Sequence, residues 1–259
     1  MRFTIIFLVA LRALRRNTMR SILTALGIII GIGAVITIVS MGNGAKARVE
    51  AQVAALGQNI ITVYPGSFSS GGMRGGFGSS VTLTVEDADA IAAEVTDIDG
   101  VSPEVRDRQQ VLANGLNWNT SVYGESPDYP YIKNWNIVQG AMFSDQDVKS
   151  LAKVAVIGKT VADQLFPTED PVGQTLRIRN LPFRIVGVLD VKGFSLFGSD
   201  QDDIVIIPYT SHMKRVSRRT NISSILVQGG SPDKLDIVKQ RIEDLLTQRR
   251  KGSEPAFTV

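Results

Sequence analysis

Cysteine is absent from all 259 residues, and histidine occurs once, at His212. The first absence rules out disulfide stapling and thiol chemistry; the second rules out a histidine-based zinc centre or an extended catalytic histidine network. Acidic side chains are missing from the first twenty positions, where Arg2, Arg12, Arg15, Arg16 and Arg20 stand. Charge of either sign is missing from Ser21 to Ala45. At about 1.5 Å rise per residue that run outlasts the roughly 30 Å hydrocarbon core of a bilayer, so Ile22 to Met41 is predicted to cross a membrane with some tilt. A cleaved signal peptide would have a shorter apolar core and no basic leader of this length.

The direction of crossing follows from charge. Short flanks rich in arginine stay cytoplasmic, so Arg12, Arg15, Arg16 and Arg20 predict an N-in topology. The apolar block Phe3 to Leu11 is expected to lie at the acyl boundary while the arginines meet anionic lipid. The organisation expected is a cytoplasmic basic interfacial helix over 1–20, a transmembrane helix over 21–45 and an extracytoplasmic domain over 46–259. The formal charge of +3 is concentrated in the leader, and the remainder is slightly acidic. The basic balance therefore speaks for membrane lipid as a partner and against nucleic acid.

Beyond the span, Lys46 to Leu56 stays helix-compatible and predicts a stalk that Gly57 stops. Ile60 to Tyr64 reads as a strand closed by Pro65-Gly66, and the Gly/Ser-rich stretch Gly66 to Ser80 as a mobile loop. Thr84 is an N-cap candidate, with Asp87 at the capping-box position of a helix running to about Val95. Val101 to Leu112 and Trp118 to Tyr123 read as strands around the turn signal Asn114-Gly115. Further strands are expected at Lys153 to Ile157, Thr175 to Ile178, Phe183 to Leu189, Ile204 to Ile207 and Ser224 to Gln228, with a short helix at Thr160 to Phe166. Pro232 to Arg250 predicts a helix with Leu235, Val238, Ile242, Leu245 and Leu246 on one face. The fold class is α+β: a membrane-proximal α+β lobe built from the two ends of the domain, with a β-rich insert between them.

Three features invite a chemical reading. Asp200, Asp202 and Asp203 resemble the start of a calcium loop, but Ile204 occupies the next ligand slot and no terminal Glu follows, so a solvated loop is expected and no metal site. Gly158-Lys159-Thr160 follows a strand and opens a helix as a P-loop does. The motif also requires a glycine at the position of Lys153, and Val154 to Ile157 make a core strand instead of a phosphate cradle, so no nucleotide or other cofactor is expected. Gly27-x-x-x-Gly31 puts two glycines one turn apart on the span, a smooth face for packing against another helix in lipid. No Ser/His/Asp or paired-carboxylate constellation is visible, so no catalytic residue and no enzymatic activity is expected.

The order of motifs resembles the MacB-like, FtsX-related permeases of ABC transporters. Arg20 to Gly31 is similar to the family's first transmembrane helix, and Gly57-Gln58-Asn59 to the start of its extracytoplasmic part. Asn134-Trp135 with Gly140 and Phe143 is similar to another of its stretches. The most specific likeness is Gly158-Lys159-Thr160-Val161-Ala162 through Leu165-Phe166 to Asp170-Pro171-Val172-Gly173, followed by Val186-Gly187-Val188 and Ile207-Pro208-Tyr209. The resemblance implies a two-lobed periplasmic core domain in the bacterial inner membrane, single-pass as given. It also implies a cytoplasmic ABC ATPase partner, further permease spans or a second permease copy, and in some members a periplasmic adaptor and an outer-membrane duct. The family has four spans, and this chain stops at Val259, so a truncated gene product or a split subunit that does not transport alone is expected. The function implied is a permease-type subunit of a MacB-like export system. The reading from a different class is a single-span anchored periplasmic binding or adaptor module without transport. No motif names a substrate.

Overall fold

The computed structural model describes residue 6 and residues 17–55, 59–66, 69–70, 73–74, 83–195, 198–250 and 257–258. The chain divides into two compact units, Met1–Ala51 and Gln52–Val259. Arg12, Arg15, Arg16 and Gly57 lie outside the described residues.

Among the described residues of the first unit one helix, Thr18–Ala55, continues past the unit boundary. Its stretch Thr18–Ala47 is long and apolar enough to cross a membrane, and none of it is buried against protein. Two hydroxyls that interrupt the apolar sequence are satisfied within the helix. Thr24 donates to the carbonyl of Arg20 at 2.7 Å and Thr37 to that of Gly33 at 2.8 Å. Back-bonding of this kind removes the cost of an unpaired donor in hydrocarbon.

The second unit is a mixed sheet with helices on its faces. Its strands are β1 (Ile60–Pro65), β4 (Ile98–Ala113), β5 (Leu116–Glu125), β6 (Ile137–Gly140), β7 (Val154–Ile157), β8 (Thr175–Ile178), β9 (Leu181–Leu189), β10 (Ile204–Pro208), β11 (Ser224–Gly229) and β12 (Phe257–Thr258). They run in the order β12-β1-β11-β4-β5-β10-β7-β9-β6, with β8 bridging β4 and β9. A separate two-stranded ribbon, β2 (Ser69–Ser70) with β3 (Met73–Arg74), lies within the segment expected to be only a loop. The β4–β5 hairpin turns at Asn114 and Gly115, whose φ values of 51° and 73° are those of a type I′ turn.

The long strand β4 joins two cores. Its first part pairs with β11 and its second with β5. The first core contains Val63 of β1, Ile91 of the helix Val85–Glu94, Ile225 and Val227 of β11, and Val238, Ile242 and Leu246 of the helix Leu235–Arg249. Both ends of the domain thus build one α+β lobe. The second core gathers Val111, Ile157, Leu165, Ile178, Phe183, Ile185 and Ile207 around the short helix Lys159–Leu165. Each such fully buried side chain contributes roughly 1.5–3 kcal/mol. Proline delays the C-terminal helix: Pro232–Lys234 forms one 3₁₀ turn before the α-helix starts at Leu235.

Strand alternation decides what faces away from these cores. Val101, Pro103 and Val105 point to one side of β4, while Ser102, Glu104, Arg106 and Arg108 share the other. On that second side Tyr129, Ile132, Trp135, Phe143, Val156 and Ile206 form a third core. It is supplied by the short helices Tyr129–Ile132 and Asp145–Lys149, which the periodicity did not reveal because each is about one turn long.

Candidate functional site

On the span helix, Arg20 is exposed, and Gly27 and Gly31 have no atom within 4 Å of where a side chain would begin. The glycine pair one turn apart is an open, shallow notch.

On the domain, the polar side of β4 ends in a cleft of about 670 Å³. Glu104, Arg106 and Arg108 line it from β4, and Tyr123 enters from β5, where it pairs in register with Arg106. Trp135, Lys133 and Lys192 close the far wall. The Arg106 guanidinium lies 5.9 Å from the Tyr123 ring centroid, and the Lys192 ammonium 4.8 Å from that of Trp135. Trp135 is itself pinned by an indole N–H donated to the carbonyl of Asp190 at 2.7 Å.

Beneath the cleft lies a carboxyl pair. Glu125 is fully buried and accepts from the Ser102 hydroxyl at 2.7 Å, while Glu104 accepts from Ser224 at 2.8 Å. Loss of solvent, and then the neighbouring Glu104, push the Glu125 pKa well above the ordinary carboxylate value. Lys192 is shifted the other way: burial and the like charge of Lys133 bring its pKa down to about 8. Sequence reading missed this cleft. Its signal was present as polar residues at every second position from Ser102 to Arg108, but the partners lie far along the chain.

The sequence-singled features take structural roles. The aspartate cluster is no solvated loop. Asp202 is 4% exposed and its carboxylate accepts from the backbone N–H groups of Lys192 and Gly193, at 2.8 and 2.9 Å. Asp200 accepts from Thr160 at 2.7 Å and Asp203 from the Trp118 indole at 2.8 Å. The cluster ties the loop before β10 to its neighbours. Among the described residues no group of His, Asp and Glu could hold a metal ion. In Gly158-Lys159-Thr160 the glycine permits close backbone approach, since a methyl there would run into the Asp202 carbonyl. Lys159 pairs with Asp163 one turn on, and Thr160 serves Asp200. His212 is buried, and burial lowers its pKa, so it is a neutral core residue packed where Gly124 leaves room.

The other motif residues also shape the backbone. Gly140, at φ 70°, and Gly187 allow β6 and β9 to approach where side chains would clash. Asp170 accepts from the backbone N–H of Val172 at 2.9 Å, making the turn that Gly173 completes at φ 90°.

The fold has counterparts of known structure. The periplasmic region of MacB from Actinobacillus actinomycetemcomitans superposes with a TM-score of 0.66 at 21% identity, covering 80% of this chain and 90% of that one. The extracellular domain of the ABC-type transporter YknZ from Gram-positive bacteria gives 0.63 at 18% identity, covering 78% of this chain and 99% of that one. In sequence, the macrolide export ATP-binding/permease protein MacB of Syntrophobacter fumaroxidans is 39% identical over 80% of this chain, and that of Azoarcus sp. is 38% identical over 93%. The chain spans 29% and 36% of the length of these two relatives. The MacB-like periplasmic core domain model matches residues 21–245, and the chain belongs to that family.

Proposed function

We propose that this chain is the permease-type, non-enzymatic component of a MacB-like export system. It would carry the cycle of a cytoplasmic ABC ATPase to a domain that expels substrate from the far side of the inner membrane. The observation that carries this reading is the joining, in one chain, of an uninterrupted apolar helix to a domain with the fold of the MacB periplasmic region. In the arrangement proposed, residues 1–20 lie on the cytoplasmic face, 21–45 cross the membrane and 46–259 are periplasmic. Arg12, Arg15, Arg16 and Arg20 hold the orientation against anionic lipid. Gly27 and Gly31 form the face on which a second permease span, or a second copy, packs. A periplasmic adaptor and an outer-membrane duct complete the path.

Co-purification tests the reading directly. Full-length chain extracted in mild detergent is expected to retain the ABC ATPase and permease segments encoded beside it, with retention lost when Gly27 and Gly31 are both replaced by Ile. A chain that inserts yet recruits neither would instead be an anchored periplasmic binding module.

A further inference from the structure

We propose that the cleft walled by Trp135, Lys133 and Lys192 is a binding site for an oxyanion, a carboxylate or phosphate, carried on an aromatic or apolar body. The inference concerns ligand binding by the domain and stands whether or not the chain takes part in export.

The acids of the cleft are already engaged, as is Arg108, which donates to Asn119 at 3.1 Å and lies near Asp203, whereas its two lysines have no carboxylate partner among the described residues. Glu104 accepts from Ser224, Asp200 from Thr160 and from the backbone of Asp202, and Asp203 from Trp118 with Arg108 nearby at 3.8 Å. By contrast, neither Lys133 nor Lys192 is ion-paired with any of the described residues. Lys192 donates one N–H to the backbone carbonyl of Lys133 at 2.7 Å. An ammonium has three donors, so two stay available beside the Trp135 ring. Asp202, the carboxylate attached to the same loop, spends both oxygens on backbone N–H groups.

Position and energetics agree. The Lys192–Lys133 carbonyl bond and the Trp135 ring hold the ammonium at a defined point instead of letting it swing into solvent. Loss of solvent, and then the like charge of Lys133, disfavour the charged form of Lys192, while Asp202 works the other way. An incoming anion offsets that repulsion. Arg106, laid on Tyr123, adds a third cation at the mouth. Trp135 and Tyr123, with Ile204 and Leu226, supply the surface on which an apolar body can rest. Lysine ammonium groups meet carboxylate and phosphate alike as point charges, so the shared oxyanion chemistry is what the cleft selects.

The experiment uses the full chain in a non-ionic detergent with both tryptophans kept, because Trp118 holds Asp203 of the cleft. Phenyl phosphate, benzoate and benzylammonium are titrated separately, by calorimetry and by intrinsic tryptophan fluorescence. Saturable binding of phenyl phosphate, of benzoate or of both is expected, weakening with added salt, with no response to benzylammonium. A response to one anion alone supports the proposal and names the oxyanion. The Lys133→Gln/Lys192→Gln variant is expected to lose about tenfold or more in affinity, while Lys133→Arg/Lys192→Arg retains binding. Near-UV circular dichroism of both variants, matching the parent, shows that the fold survives. The proposal is overturned if neither anion binds, if the glutamine variant binds them as well as the parent, or if benzylammonium binds equally.

Discussion

Glu125 is the side chain with the most at stake in the domain. Its carboxyl is wholly buried beside Glu104 and accepts from the Ser102 hydroxyl. Because its pKa in the folded protein is raised, the native state keeps a proton that the unfolded chain releases above the ordinary glutamate value of 4.5. Stability therefore falls as pH climbs from that value and stops falling only once pH passes the raised native pKa. Glu125→Gln removes the titration. Urea denaturation at about pH 5 and about pH 8 is expected to show the parent losing stability relative to the variant at the higher pH. Parallel profiles would mean that Glu125 ionises normally. Gly158 makes a second case at this scale, because a methyl there meets the Asp202 and Ile204 backbone and side chain with no room to move. Gly158→Ala is expected to cost about 1–3 kcal/mol by chemical denaturation, whereas the same change at Gly33, which faces open space, leaves domain stability unaltered.

Among the elements, the two helices of the terminal lobe are tied by one aspartate. Asp87, in the first turn of its helix, closes the capping box by accepting from the Thr84 N–H at 3.2 Å, and it also accepts from Arg249 at 3.1 Å and Arg250 at 3.0 Å. The C-terminal helix is thereby moored to the N-terminus of the helix at 85–94, where a negative charge is also favoured by the helix dipole. Asp87→Ala is expected to cost ~2–4 kcal/mol, since it removes a cap and leaves two guanidinium groups without their carboxylate. A loss below ~0.5 kcal/mol would reduce the tether to an ordinary surface ion pair. For the span, replacing Gly27 and Gly31 by Ile is expected to weaken helix association in a membrane two-hybrid assay without impairing insertion, because Ile is itself apolar. Unchanged association would leave the glycines as composition only.

At the scale of the whole molecule, orientation is the prediction on which most else depends. With the leader arginines ahead of the span, a reporter active only in the periplasm is expected to be active when fused after Lys251. Activity of a cytoplasm-only reporter at that position would reverse the proposed arrangement. The domain is also expected to resist partial unfolding of one lobe, because β4 carries residues of two cores, Val105 in one and Val111 in the other. Hydrogen exchange along Ile98–Ala113 should report similar protection in both halves of the strand.

What was legible in the sequence was what local chemistry decides. An uncharged run long enough for a bilayer is one stretch of sequence, the Asn114-Gly115 hairpin and the Thr84/Asp87 cap each act within a few residues, and each has its element in the structure. The α+β lobe closed by the two ends was legible too, because the first and last elements carry apolar faces, and these meet in one core. The cleft was not. Lys133 reaches Lys192 across 59 residues, and Trp118 reaches Asp203 across 85. Those meetings depend on parallel pairings, β10 with β5 and β7 with β9, whose connections cross over other elements. The aspartates whose spacing predicted a solvated loop are tied down for the same reason, Asp202 buried and Asp200 and Asp203 half-buried. Periodicity along a strand tells which side chains share a face, but only the sheet's order and register decide what that face will meet.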